Sequence, residues 1–185
     1  GSTINVGISE AQGKYLKLMD ADDYYDTEEL DRLIPLLESE NSDIVLTDYV
    51  EDWSTIPKLN SVLNYTFMEP GKQYNIEDLC FAGYGFNRYA NILHTSTYKT
   101  SMMKNGNFKI SEHCFYVDME MNTYSFILAK TITYYPLQVY VYYLGRAGQS
   151  VSPRSFKKNY LQHEHVTLKI IKEIEDRHLS YAKKN

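Results

Sequence analysis

A chain of 185 residues is long enough for one well-buried core and short for two domains. With 43% hydrophobic and 23% charged residues its composition is that of an ordinary globular protein, which excludes a collagenous, low-complexity or disordered chain. A net charge of −5 argues against a nucleic-acid footprint, because a phosphate backbone is bound through clustered Lys and Arg.

Cys80 and Cys114 form neither a disulfide framework nor a metal-ligand spacing, so a reduced, cytoplasmic setting is the default expectation. No run approaches ~18 uninterrupted apolar residues, so no membrane span is indicated for this segment. The first residues carry no signal-peptide pattern. The unusual count is tyrosine, at eighteen. Such side chains suit sugar stacking, and they suit half-buried sheet positions equally.

In chain order, a short helix from Thr3 to Gln12 leads to a strand, Lys14–Met19, whose Tyr15, Leu16, Leu18 and Met19 predict burial. Asp26 followed by Glu29 predicts a capping box for a helix carrying Leu30, Leu33, Ile34 and Leu37, with Pro35 inside it as a kink or distorted turn. Asp43 to Val50 is rich in β-formers and reads as a strand, and 52–75 as an irregular excursion or hairpin. A short helix follows over Tyr98 to Lys104 and a longer one over Tyr116 to Ala129. Thr131–Tyr135 and Gln138–Leu144 read as two strands bent at Pro136. From Ser155 onward, His165, Leu168, Ile171 and Ile174 fall at helical spacing.

The chemistry concentrates where the first strand runs into Asp20-Ala21-Asp22-Asp23. In open α/β sheets ligands bind beyond the carboxyl ends of strands, and carboxylates so crowded repel one another unless a cation or a set of N–H donors neutralises them. Hard oxygen donors suit Mg²⁺ or Mn²⁺ carrying substrate phosphates. An acidic turn that merely caps the next helix accounts for the same residues equally well.

The stretch Ala11-Gln12-Gly13-Lys14-Tyr15 through Asp20-Ala21-Asp22-Asp23-Tyr24 to Leu30, preceded by Asn5-Val6-Gly7-Ile8, resembles family 2 glycosyltransferases of the GT-A fold. The resemblance implies a partial GT-A α/β fold: a mixed sheet flanked by helices, with residues 1–152 as the C-terminal part of the transferase domain and 153–185 as a C-terminal helical extension. It further implies a longer parent enzyme whose nucleotide-binding opening region is not among these residues, so the segment alone is expected to be inactive and prone to self-association. Ile4 stands where many relatives carry Arg before the Asn, which implies altered donor contacts.

Three further stretches take their roles from this resemblance. The family's Glu-Asp pair supplying the general base matches Val117-Asp118, with Val in the place of Glu; Asp118 alone is then the base, and an acid merely stabilising a helix N-terminus is its plain alternative. Tyr142 to Ser152 is similar to a post-sheet loop of a bacterial branch, which implies donor contacts from Arg146, Gln149 and Ser150. A solvated surface turn is the alternative there. His94, Tyr98 and Glu112 fall where an acceptor wall is expected, although a lone histidine is more often structural. His163 and His165 sit on different helical faces and make a poor metal pair, and Trp53 is either a sugar platform or a core plug.

The implied activity is metal-dependent, inverting transfer of a hexose from a nucleotide-sugar to a saccharide or other hydroxyl acceptor, as in bacterial polysaccharide biosynthesis, in the cytoplasm or at the inner face of the membrane. Asp22 is the expected principal metal contact. Asp20 addresses the metal or the donor ribose, and the cation is Mg²⁺ or Mn²⁺. The C-terminal amphipathic helix is a candidate homodimer interface. Two rivals are a non-catalytic carbohydrate- or partner-binding module of the same fold and a haloacid-dehalogenase-like phosphotransferase; the latter wants Thr or Val where Tyr24 stands.

Overall fold

The computed structural model describes residues 1–53, 61–63, 65–81, 93–145 and 153–177. Among these, seven strands form one sheet: β1 (Tyr15–Lys17), β2 (Tyr24–Tyr25), β3 (Ile44–Asp52), β4 (Ser61–Leu63), β5 (Gln73–Asn75), β6 (Ser96–Lys99) and β7 (Thr131–Tyr143). The central path runs β1-β6-β3-β7-β2, with β4 paired to β3 and β5 to β7. Only β3 and β7 run parallel; the other pairs are antiparallel. The helices are α1 (Ser2–Glu10), α2 (Thr27–Ser39), α3 (Ile76–Phe81), α4 (Thr100–Asn105), α5 (Val117–Leu128) and α6 (Pro153–Asp176).

β3 is the spine because its alternation feeds two cores. Ile44 and Leu46 join Tyr65, Tyr98, Met121, Tyr124 and Ile132 on one face. Val45 joins Leu33, Leu137 and Val139 beneath α2 on the other. A strand covered on both faces reads as a continuous apolar run, as Ile44-Val45-Leu46 does. On α6, Val166 and Ile170 are buried in the first core while Tyr160, Leu161, Leu168 and Ile171 stay exposed.

Several expectations are corrected. β1 has three residues rather than the predicted six, lies at the sheet edge and is only half-buried. Beyond Lys17 the backbone leaves the ladder and is held by tyrosines instead: the Tyr25 hydroxyl donates to Leu18 O, and Asp20 N donates to the Tyr140 hydroxyl. Tyr98 belongs to β6 and not to a helix, because β6 is inserted between β1 and β3. The helix begins only at Thr100.

The expected break at Pro136 does not divide β7. Pairing with β3 jumps from Thr47↔Tyr135 to Asp48↔Gln138 and then Tyr49↔Tyr140, so the proline falls in an irregular stretch of the pairing where its missing N–H costs no ladder bond. The capping box is half formed. Asp26 accepts from the amides of Glu28 and Glu29, but the Glu29 carboxylate turns away, taking the Gln138 amide and Arg32. That choice stitches α2 to β7.

One buried acid supplies a stability prediction. Asp48 is 5% exposed and accepts from the Tyr134 hydroxyl at 2.8 Å, and burial pushes its carboxyl up to about 6. The unfolded chain ionises there nearer the ordinary 3.8. Between those values the folded state holds the proton more tightly, so stability falls as pH rises through the window and stays lower above it. Asp48→Asn keeps the acceptor oxygen and removes the charge. It is expected to raise Tm at pH 8 by about 2–4 °C, a gain of about 1 kcal/mol, with little change at pH 4 by scanning calorimetry.

Candidate active site

The acid turn is built from the far end of the sheet. Residues 20–23 close through a bond from Asp23 N to Asp20 O, and the buried Asp23 carboxylate accepts from the Tyr140 hydroxyl and the Tyr143 amide. Burial raises the Asp23 carboxyl above its usual value; those two donors and nearby His94 offset part of the rise. Tyr140 thereby holds the turn at both ends.

His94 enters from the segment before β6. Its ring stacks on Tyr142 at 4.5 Å between centroids and leans on Tyr140 at 4.8 Å, residues two apart and therefore on one face of β7. The Lys17 ammonium donates to the carbonyls of His94 and Ser96 at 3.0 and 3.3 Å and fixes that segment from below, and burial pushes the lysine down to about 7. The imidazole Nε2 is then 3.9 Å from an Asp20 carboxylate oxygen.

Asp20, Asp23 and His94 each offer one donor atom, and these atoms all lie within 4.8 Å of one another. Two carboxylate oxygens and an imidazole nitrogen fit a divalent cation, and the nitrogen moves the preference from Mg²⁺ towards Mn²⁺.

Two of the three, Asp20 and His94, line a cleft of about 430 Å³ together with Asp22 and Tyr142, while Asp23 is buried and is not part of the lining. Residues 114–118 and Asn122 also line it, so Asp118, exposed on the first turn of α5, borders the same space as Asp20, Asp22 and His94. Tyr116, which caps α5, is left-handed at φ 65° and ψ 20° with no side-chain cap, a conformation that costs a non-glycine residue ~1–3 kcal/mol and persists only where its surroundings hold it.

Other expected site residues fall elsewhere. Tyr98 cannot form an acceptor wall: it is wholly buried in the main core, on the sheet face where Met121 and Tyr124 also pack. Glu112 is exposed and outside the cleft lining, bonded to Asn5 and paired with Lys109, and these partners hold its carboxyl below the usual range. Asp22 lines the cleft, but Asp23 is the acid that converges with Asp20 and His94. Glu120 points away, fully buried, accepting from the Ser111 amide and hydroxyl and paired with Lys169. Trp53 donates from its indole to Glu51. Arg146, Gln149 and Ser150 lie outside the described residues.

Residues 1–110 match the model of Glycosyl transferase family 2. The chain belongs to this family. The glycosyl transferase fold is seen in solved structures of S. aureus TarS residues 1–349: alone, at 19% identity over all of this chain and 47% of that one, TM-score 0.66. The complex with UDP-GlcNAc gives 18% identity over 98% of this chain and 53% of that one, TM-score 0.63. The complex with UDP gives 19% over 100% and 53%, TM-score 0.59. The chain thus spans about half the length of these structures, and the likeness shows a GT-A-like mixed α/β fold. No curated protein sequence matches. Among the described residues no helix is long and apolar enough to cross a membrane.

Proposed function

We propose that the chain carries the acid-bearing transfer cleft of a nucleotide-sugar glycosyltransferase that moves a hexose to a hydroxyl acceptor with inversion. The observation that carries this reading is one cleft lined by Asp20, Asp22, His94 and Asp118, with buried Asp23 converging on Asp20 and His94. Asp118 accepts the proton of the acceptor hydroxyl as that oxygen bonds to the anomeric carbon and the carbon–oxygen bond to the diphosphate breaks. A base needs only one carboxylate within ~2.6–3.2 Å of the hydroxyl, so Val117 in place of a second acid does not prevent the step.

Asp20, Asp23 and His94 are the residues to hold Mn²⁺ or Mg²⁺, with Asp22 beside them. A divalent cation bound there supplies countercharge for the departing diphosphate. The exposed face of Tyr142, already stacked with His94, and the Phe115 ring offer the apolar surface that sugar rings pack against. A uridine-diphosphate sugar is the first donor to try, since TarS was solved with UDP-GlcNAc and with UDP.

The chain spans about half of those structures, and the activity proposed is that of the full-length protein. In the intact enzyme, release of nucleoside diphosphate from a panel of nucleotide-sugars tests the reading. Acceptor-stimulated release supports it, and sugar binding without turnover across the panel would favour a non-catalytic module.

A further inference from the structure

We propose that α6 is a working part of the transfer site, and that Gln162 is the positioning residue through which it aims Asp118. The inference rests on the assignment of Asp118 as base. Asp118 is the second residue of α5, so its place is set by the backbone at Phe115 and Tyr116. Tyr116 is left-handed with no capping side chain, and such a conformation persists only where neighbours impose it.

The neighbours that impose it come from α6. Gln162 Oε1 accepts from the Phe115 amide at 2.7 Å. The Tyr116 ring stands edge-on to His163 at 5.1 Å and to Phe156 at 6.1 Å. Seven residues on, and so on the same helical face, the Lys169 ammonium donates to Lys109 O at 2.7 Å and Ser111 Oγ at 3.1 Å, and it pairs with buried Glu120 at 3.2 Å. Both ends of the 109–120 segment are therefore tied to one face of α6, and Val166 and Ile170 anchor that face in the core. The grip lies almost wholly beyond residues 1–110, which the family model matches.

Gln162→Leu removes the acceptor at nearly constant volume, whereas Gln162→Glu keeps an oxygen there. In the intact enzyme, with nucleoside-diphosphate release from its best nucleotide-sugar as readout, Gln162→Leu should lower kcat about tenfold and leave the donor KM unchanged, because misplacement of a reacting group by ~1 Å suffices for such a loss. Gln162→Glu should restore most of the rate. Added to Asp118→Asn, Gln162→Leu should cost nothing further, since the two act through one group.

Full activity of Gln162→Leu beside an inactive Asp118→Asn would overturn the role of Gln162 and leave the base in place. An independent loss in the double variant would make Gln162 merely structural. Normal turnover by Asp118→Asn would remove the base assignment and this proposal with it. If Gln162→Leu does not fold, His163→Leu, which breaks the ring contact instead, is read by the same criteria.

Discussion

Asp118→Asn is expected to lower the kcat of the intact enzyme by ~10²–10⁴ while leaving donor binding nearly unchanged. The substitution keeps the shape and polarity of the first turn of α5 and removes only the capacity to take a proton. The other acids of the segment cannot replace it: Glu120 is buried against Ser111 and Lys169, and Glu112 lies outside the cleft lining. Steady-state kinetics with donor and acceptor varied separately checks this. Normal turnover would mean that Asp118 only stabilises the helix end, which is worth no more than ~1 kcal/mol at an exposed site.

The second large effect concerns the Asp20–Asp23–His94 group. Asp20→Asn should lower turnover at least ~tenfold, about 1.4 kcal/mol of barrier, and weaken Mn²⁺ binding measured by electron paramagnetic resonance. His94→Ala should weaken Mn²⁺ more than Mg²⁺, because imidazole nitrogen is the softer donor. Asp23→Asn should differ from both by also lowering Tm, since its carboxylate accepts from Tyr140 and Tyr143 and ties the acid turn to β7. Equal Mn²⁺ affinity in Asp20→Asn, His94→Ala and the parent protein would remove the cation from this site.

What could be read in the sequence was whatever local spacing determines. Leu30, Leu33 and Leu37 at helical intervals mark α2, and the β-branched run at Ile44 marks β3. What escaped depended on partners far away. Asp23 converges with Asp20 because the Tyr140 hydroxyl, 117 residues on, donates to it, a preference that no local reading of Asp20-Ala21-Asp22-Asp23 contains. Tyr98 reads locally as the first residue of a short helix; it lies instead in β6, because that strand pairs with β1 and β3, and its side chain is buried by the core face that Met121 and Tyr124 also fill.

His94 was legible as a candidate but not as a neighbour of the acids, since its place depends on the Lys17 ammonium below and the Tyr140–Tyr142 face above. The unbroken β7 escaped because the room for Pro136 is made by a register shift against β3, a property of the pair. The grip of Gln162 and Lys169 on the segment around the start of α5 was not legible either, because it depends on partners 47 to 60 residues away; only their spacing, seven apart on one helical face, is local.

The most direct measurement of the central claim is the rate of nucleoside-diphosphate release by the intact enzyme, with a uridine-diphosphate sugar and a hydroxyl acceptor, in Mn²⁺ and then in excess chelator. The account predicts acceptor-dependent release in Mn²⁺ that is lost in chelator and recovered on adding Mn²⁺ back. Undiminished release in chelator would contradict a cation at Asp20, Asp23 and His94, and no release with any nucleotide-sugar under either condition would contradict transfer itself.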